Sequence, residues 1–472
     1  MPSRRRRSWT ASGLGALDLL LAAVVFAAAS LLVLASRRRP AGPSPRKVLM
    51  VFNNFYSLRV LRARGAEHTI THRDLDGYFD HVWTVHPLVG ADESEPEEAS
   101  AGGPSRTELA KRHTLIEARV ARTERLQRLP MLNFALAQAQ LVYRLSRIIA
   151  RERVSIITAW EPFYTGPIAL ALGRLHGIPV EIRIASNYDD VYEAVGELGY
   201  PRLLRWRRLE QALAHFTLSR AQQVVVLSAN NRQYAVNNGA LEERTAYAGN
   251  WAMIDPVHLV DPRDRAPYVD EFGLGDRPFA VTVCRLERVK YPEDVLTVLA
   301  KARESCPQLG GLLIGEGSQR AELEAQAREL GLEGHLFFVE GRDHEWVSQA
   351  LAAATVVLAP MAGLTLTEAA LSETPIVAYD YEWHAEFIEP GETGILVPYR
   401  DTDAMAAAAC ALVADPERGS RLGAAARARA LERMHPDAAL AHERALAQWM
   451  LDRTAAGVTP AAVADQRSHG RR

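Results

Sequence analysis

Short apolar runs alternate with amphipathic stretches over most of this chain. In the first half, buried strands are predicted at 47–52, 81–85, 154–159, 180–184 and 222–228, with a helix at 133–151. In the second half, strands are predicted at 279–285, 311–315, 335–339, 355–359, 375–379 and 394–397. The helices between them are predicted at 292–304, 319–330, 344–353, 364–372 and 403–414. This alternation indicates the α/β class, with two Rossmann-like doubly wound domains facing a cleft.

Changes in composition give the domain boundaries. A basic segment (1–13) precedes a predicted transmembrane helix (14–36) and a linker (37–46). The N-terminal Rossmann-like domain should cover 47–255, with an acidic, Gly/Pro-rich loop at 90–106, and the C-terminal one 265–420. A C-terminal helix (421–454), interrupted near Pro436, is expected to pack back across the first domain. Residues 455–472 lack a core-forming pattern and are expected to form a flexible tail.

The apolar run from Leu14 to Ala35 predicts a membrane anchor. As a helix it would span about 33 Å, enough to cross a bilayer core. A cleaved signal peptide is the alternative, but the length of the run and the three arginines that follow favour an uncleaved, single-pass anchor. Arginines flank the run on both sides, so the positive-inside rule leaves its orientation open.

Composition excludes several classes of protein. The chain has 55 Lys+Arg and 57 Asp+Glu residues, so no global positive charge is available to bind nucleic acid. Three distant cysteines form neither a disulfide framework nor a thiolate zinc site. Nearly all basic residues are arginine, and Lys290 is one of only four lysines.

Two cations follow one predicted strand of the second half. Arg285 and Lys290 share the loop after 279–285, where they could neutralise a diphosphate. A solvated basic loop is the alternative. Gly315 and Gly317 follow the next strand, where missing side chains would let a nucleotide approach backbone amides. A tight turn explains such glycines equally well.

The segment after strand 355–359 gives the sharpest signal. Gly363 is predicted to begin a helix, and the amides of Gly363, Leu364 and Thr365 would form an anion site at its N-terminus. Glu368, about one turn inside, could accept hydrogen bonds from a ribose diol. A first-turn glutamate that complements the helix dipole is the simpler alternative.

These motifs together resemble one family. The order Arg285…Lys290, Gly315-Glu-Gly317, Phe337-Phe-Val-Glu-Gly341 and Gly363…Glu368, followed by 374–378 and 386–398, is similar to the nucleotide-binding domain of family-4 retaining glycosyltransferases. That family has the two-Rossmann glycosyltransferase-B fold. The resemblance runs from 279 to about 414 and is looser in the first half.

The resemblance implies a role for each matching residue. Arg285 and Lys290 would hold the donor diphosphate and stabilise charge on the departing nucleotide. Glu368 would bind the ribose, Leu364 and Thr365 would donate amides to phosphate, and Gly341 and Arg342 would border the base. No metal and no cofactor beyond the nucleotide-sugar would be needed, because the two cations take the place of a metal.

The chain also departs from that family. The family usually has Glu-x7-Glu, and Pro360 stands where the first glutamate is expected. The usual histidine of the first domain is absent, and Cys284 replaces a glycine before Arg285. Contacts to sugar or acceptor are therefore predicted from other strand-end residues: Asn53, Asn54, Ser186, Asn187, Asp189, His384 and Glu386.

The sequence thus predicts a membrane-anchored glycosyltransferase. It would move a sugar, with retention, from a nucleotide-diphosphate donor to a lipid-linked or envelope glycan, with the catalytic domains on the cytoplasmic side. A nucleotide-sugar epimerase or hydrolase of the same fold is one alternative, and a catalytically silent nucleotide-sugar-binding scaffold is another. An NAD dehydrogenase is disfavoured, because no Gly-x-Gly-x-x-Gly follows the first strand.

Overall fold

The computed structural model describes residues 21, 46–53, 57–63, 67–89, 102–199, 204–248, 254–274, 277–340, 342–433 and 436–456. The predicted anchor apart from residue 21, most of the 90–106 loop, Asn54, Gly341 and the tail beyond 456 lie outside these ranges. Within them, no helix has both the length and the apolar character needed to cross a membrane.

The N-terminal domain is built on an eight-stranded sheet with the order β3-β4-β2-β1-β5-β6-β7-β8. Neighbouring strands run parallel except for the edge pair β3 and β4. The strands are β1 Val48–Phe52, β2 His81–Val89, β3 Ser105–Ala110, β4 His113–Arg119, β5 Ile156–Ala159, β6 Val180–Ile184, β7 Gln223–Val226 and β8 Thr245–Tyr247. Its helices are α1 Leu58–Ala63, α2 His68–Thr71, α3 Pro130–Glu152, α4 Thr165–His176, α5 Tyr188–Val195, α6 Arg207–Leu218 and α7 Ala229–Asn237.

The C-terminal domain has a six-stranded, fully parallel sheet with the order β11-β10-β9-β12-β13-β14. Its strands are β9 Phe279–Val283, β10 Gly310–Ile314, β11 Leu336–Val339, β12 Val356–Ala359, β13 Ile376–Tyr379 and β14 Ile395–Val397. The helices are α8 Pro292–Ser305, α9 Arg320–Glu329, α10 His344–Ala353, α11 Thr365–Leu371, α12 His384–Phe387 and α13 Thr402–Ala414. The strand order reverses between β9 and β12, which is the point where doubly wound sheets bind ligands.

The edge of the first sheet differs from the sequence prediction. Ser105 and Arg106, assigned to the acidic loop, begin β3, which forms an antiparallel hairpin with β4. β3 carries the polar sequence Ser-Arg-Thr-Glu-Leu-Ala and is largely exposed, so no buried run indicates it. Its backbone is ordered by hydrogen bonding to β4 rather than by burial of its own side chains.

Two C-terminal helices connect the domains. α14 (Pro416–Arg433) packs on α11, and α15 (Pro436–Ala456) crosses to the N-terminal sheet. On that sheet, Gln448 Oε1 accepts hydrogen bonds from Lys47 Nζ (3.0 Å) and Tyr78 Oη (2.8 Å), and Glu443 pairs with Arg183. The chain therefore returns to its first domain after the second is complete.

Candidate functional site

A pocket lies beyond the carboxyl ends of β9 and β12, where the strand order of the second sheet reverses. The side chains lining it include Cys284, Lys290, Pro360, Ala362 and Thr365. Because β9 and β12 are adjacent and parallel, residues far apart in sequence converge at this edge. The pocket brings the loop with the predicted cations against the predicted anion-binding turn.

Arg285 and Lys290 are two neighbouring cations of the loop after β9, and Lys290 lines the pocket. Arg285 is exposed, and Lys290 ends a short 3-10 turn immediately before α8. Burial lowers the pKa of Lys290 below its ordinary value, and the nearby Arg285 charge lowers it further. Neither side chain forms a hydrogen bond or an ion pair with any residue that the structure describes. The two side chains can therefore form hydrogen bonds with an anionic ligand, although the carboxylate of Glu382 also lies near Lys290.

The two glycines after β10 pack closely against the backbone of the loop that carries Arg285. A Cβ on Gly317 would lie 2.3 Å from the carbonyl oxygen of Leu286, and one on Gly315 would lie 1.8 Å from that of Cys284. The amide of Leu286 also donates to the carbonyl of Glu316 at 2.8 Å. The need for glycine at both positions is thus explained by close backbone packing that holds Arg285 in place.

The turn between β12 and α11 presents a different glycine. Gly363 is exposed, and a Cβ built on it would meet no atom within 4 Å. The amides of Gly363, Leu364 and Thr365 donate to no acceptor within the described residues. Packing does not explain this glycine, whereas the close approach of a ligand to the amides would.

His384 lies beneath this turn and not in the cleft. It is fully buried, its Nδ1 lies 2.9 Å from the carbonyl oxygen of Tyr379, and its Nε2 accepts from the amide of Ala362 at 3.2 Å. Burial lowers its pKa, so the ring is held neutral. The predicted sugar contact by His384 is therefore wrong for this conformation, and the ring instead positions the turn before α11.

Glu382 lies at the same carboxyl edge of the second sheet and was not among the site residues predicted from the sequence. It follows β13 with φ of 49°, a left-handed conformation uncommon for non-glycine residues and often found at functional sites. Burial raises its pKa to about 7, the Lys290 charge opposes that rise, and Asp190 of the N-terminal domain adds to it. A carboxylate thus lies near Lys290 although Pro360 occupies the usual glutamate position. The position of Glu382 just after the end of β13 is the feature of the sequence that could have indicated a site residue.

Glu368 lies one turn inside α11 and is 7% exposed. Burial raises its pKa to about 7, with a second contribution from Asp255. Its Oε1 is 3.8 Å from Nε2 of His258, which is beyond hydrogen-bonding distance. No described residue donates a hydrogen bond to this carboxylate, so it can accept bonds from a ligand.

Glu386 bridges the two domains. Its carboxylate accepts the amide of Ala229 at 2.8 and 2.9 Å and that of Asn230 at 3.3 Å. These are the first amides of α7, so a C-terminal-domain glutamate caps an N-terminal-domain helix. Glu386 thus forms a direct contact between the two domains, and its carboxylate is already bonded to these amides.

The candidates of the first domain mostly stabilise its own loops. Asn187 caps α5 by accepting the amides of Asp189 and Asp190, and its Nδ2 donates to Asn230 Oδ1 at 3.0 Å. Asp189 pairs with Arg207. Ser186 is half-buried just before this cap.

Two further candidates have contacts within their own domains. Asn53 follows β1 and donates its backbone amide to the carbonyl of Val85 at 3.0 Å. Arg342 pairs with Glu271 and stacks over Trp346 at 4.6 Å from the ring centre. Asn54 and Gly341 lie outside the described residues. The structure therefore brings Lys290 together with the turn before α11 and with Glu382.

Comparison with known proteins decides the family. Residues 265–429 match the family described as "Glycosyl transferases group 1". An alpha-maltose-1-phosphate synthase of Mycolicibacterium smegmatis is 32% identical over 306 residues, covering 57% of this chain and 73% of that protein. The chain belongs to the group 1 glycosyl transferases. The resemblance found in the sequence is thereby confirmed.

This group 1 glycosyl transferase has further relatives. A "GDP-mannose-dependent alpha-(1-6)-phosphatidylinositol monomannoside mannosyltransferase" of M. smegmatis is 31% identical over 183 residues, covering 36% of this chain. The match spans only 48% of that protein's length.

Solved structures agree on the fold. Anabaena HepE in complex with UDP and glucose superposes with a TM-score of 0.63 at 16% identity, covering 86% of this chain and all of that one. Sucrose-phosphate synthase from Thermosynechococcus elongatus superposes with a TM-score of 0.65 at 19% identity, with the same coverage. The group 1 glycosyl transferase described here thus has the two-domain glycosyltransferase-B fold expected from its sequence.

Proposed function

We propose that this chain transfers a sugar from a nucleoside-diphosphate donor to an acceptor. The observation that carries the proposal is the pair Arg285 and Lys290, two neighbouring cations whose side chains form no hydrogen bond or ion pair with a described residue. They lie at the reversal point of the second sheet. Bringing two like charges together costs free energy unless an anion lies between them. A diphosphate supplies that anion.

The same pair would act on the reaction itself. Negative charge develops on the departing nucleoside diphosphate as the bond to the sugar breaks, and Arg285 and Lys290 are placed to stabilise it. The amides of the turn at Gly363 would bind the second phosphate group, and Glu368 would accept the ribose hydroxyls. This diphosphate clamp needs no metal. Retention of anomeric configuration is proposed from the resemblance to the retaining family.

The donor nucleotide is proposed to be UDP or GDP, with support from the names of two similar proteins. The mannosyltransferase relative is named for GDP-mannose, and the HepE structure holds UDP. Isothermal titration of the full chain with UDP and with GDP tests the site directly. We expect one of them to bind saturably, and no measurable affinity for either would overturn the proposal.

The acceptor is proposed to be lipid-linked or an envelope glycan. The apolar run 14–36 supports this, as does the phosphatidylinositol monomannoside in the name of one relative. The anchor would hold the catalytic domains at the cytoplasmic face. Transfer of radiolabel from GDP-mannose or UDP-glucose into the organic extract of bacterial membranes tests the acceptor. Label confined to water-soluble products would exclude a lipid acceptor.

Pro360 favours a second candidate function. Without the first glutamate of the usual motif, the chain could bind nucleotide-sugars without turning them over. Consumption of donor by the purified chain with acceptor membranes separates the two, because a scaffold binds the nucleotide but leaves the sugar attached. Product formation without acceptor would indicate a hydrolase or epimerase.

A further inference from the structure

Three potential metal ligands meet beside the cleft. His258 lies in a 3-10 turn, Pro256–Leu259, just after the domain linker; His344 begins α10; and Glu368 lies in α11. One ligand atom from each side chain lies within 4.8 Å of the other two. The rings of His258 and His344 are perpendicular, with centres 5.8 Å apart.

Two of these side chains are buried, and His344 is half-buried. His258 is 0% exposed, and neither of its ring nitrogens has a hydrogen-bond partner among the residues that the structure describes. A neutral imidazole has one donor and one acceptor, and leaving a buried polar group unpaired costs about 1–3 kcal/mol. Neither Glu368 nor His344 forms a side-chain hydrogen bond with a described residue. Such a group of unsatisfied polar atoms calls for a ligand that satisfies all of them together.

We propose that His258, His344 and Glu368 bind a divalent transition-metal ion of the zinc type. Two imidazole nitrogens and one carboxylate oxygen suit Zn²⁺, whereas Mg²⁺ and Ca²⁺ favour all-oxygen sites. Tetrahedral bonds of about 2.1 Å place ligand atoms about 3.4 Å apart. No separation between ligand atoms therefore has to shrink by more than about 1.4 Å, which rotation of the half-buried His344 side chain can supply.

Two further polar side chains lie close to these three residues. The His68 ring, from α2 of the N-terminal domain, lies 5.9 Å from that of His344, and its Nδ1 is 3.9 Å from Oδ2 of Asp255. Asp255 also adds negative charge near His258, His344 and Glu368. An ion here would fasten the linker to α10 and α11. One carboxylate oxygen of Glu368 would remain available to a ribose.

This site includes neither Arg285 nor Lys290, but it shares Glu368 with the proposed ribose contact. Its ligands come from segments far apart in sequence, and the family resemblance implied no metal. The test therefore measures metal binding directly, without a transferase assay.

The test uses the full chain purified without a histidine tag and freed of metal by a chelator. Titration with Co²⁺, followed by visible absorption, should show one saturable site per chain with the intense bands of a four- or five-coordinate ion, and Zn²⁺ should displace it. Mg²⁺ should not compete. Zn²⁺ should also raise the unfolding temperature, because a ligand that binds only the native state stabilises it.

Two variants test the assignment. His344→Ala and His258→Ala should each weaken Co²⁺ binding by at least about tenfold, the lower limit for losing even an outer-sphere partner. His86→Ala, at an equally buried histidine in β2, is the matched control and should bind normally. If His258→Ala fails to fold, the Co²⁺ affinity of His344→Ala decides the assignment, because His344 is only half-buried. Absence of saturable binding, or unchanged affinity in His344→Ala, would overturn the proposal.

Discussion

Replacing Lys290 with methionine should weaken donor binding while stabilising the fold. Methionine keeps the unbranched apolar stem and removes the charge. The Lys290 ammonium is held near Arg285 with its pKa lowered, first by burial and then by that neighbouring cation. The buried charge of Lys290 therefore lowers the free energy of unfolding, and a bound nucleoside diphosphate offsets this destabilisation. Lys290→Met should remove both the destabilisation and the attraction for the diphosphate.

The size of the binding loss follows from the contact removed. A hydrogen bond to a charged group contributes about 1.5–3 kcal/mol. At about 1.4 kcal/mol per factor of ten, the dissociation constant for the nucleoside diphosphate should rise about 10- to 150-fold. Affinity of the wild type should also fall as pH rises through the lowered pKa of Lys290, and the variant should lack that dependence.

Stability should depend on pH in the opposite sense. Between the lowered folded pKa of Lys290 and its ordinary value of 10.5, the unfolded chain binds a proton that the folded chain does not. Unfolding free energy contributed by this group therefore rises with pH in that window. In Lys290→Met that rise should disappear, leaving a higher unfolding free energy at neutral pH.

Isothermal titration with UDP and GDP, together with urea unfolding at several pH values, measures both effects. Lys301→Met, in the helix α8 that follows Lys290, is the matched control, since the Lys301 Nζ pairs with Asp403 and with Thr402, both at 2.8 Å. It should bind the nucleotide within about twofold of the wild type, as surface ion pairs contribute little. If folded Lys290→Met bound the nucleotide as tightly as Lys301→Met does, the diphosphate clamp would be refuted.

Three further predictions concern the glycines, Glu382 and Glu386. Gly363→Ala should keep wild-type stability, because the added Cβ meets open space, but it should weaken nucleotide binding. Gly317→Ala should instead lose about 1–3 kcal/mol of unfolding free energy, because its Cβ would clash with the backbone; urea unfolding and nucleotide titration compare the two variants. In the wild type, the folded carboxyl of Glu382 keeps its proton up to a pKa of about 7, whereas the unfolded one loses it at the ordinary pKa of 4.5. The unfolding free energy should therefore fall as pH rises from 4.5 to about 7, and Glu382→Gln should not show this fall. Equal dependence of the unfolding free energy on pH in the two proteins would contradict this. Glu386→Ala should speed hydrogen exchange at the first two amides of α7 and cost about 1 kcal/mol, and unchanged exchange would show that this cap is unimportant.

Local pattern was enough to place most of the secondary structure. The predicted bounds of β6 and α10 agree with the structure to the residue, because a buried strand and an amphipathic helix each express their own period in the sequence. The pairing of strand with helix in turn implied parallel sheets and a ligand site at their carboxyl ends. That is why Arg285 and Lys290 could be found together without coordinates.

What the sequence could not determine depends on partners from elsewhere in the chain. The β3–β4 hairpin is polar and ordered by its neighbour, so no apolar run predicts it. His384 and Glu386 are equally polar strand-end residues in the sequence. In the structure one is buried beneath the turn before α11, and the other reaches across the cleft to α7.

Charge and burial at the site were likewise decided by tertiary structure alone. Glu382 is significant only because Lys290 and Asp190, from two domains, lie near it. His258 and Glu368 come together because the linker turn packs against α11. The sequence determined which chemical groups are present and on which kind of element they lie. Their burial, pKa and partners come from packing between distant segments, which no local pattern records.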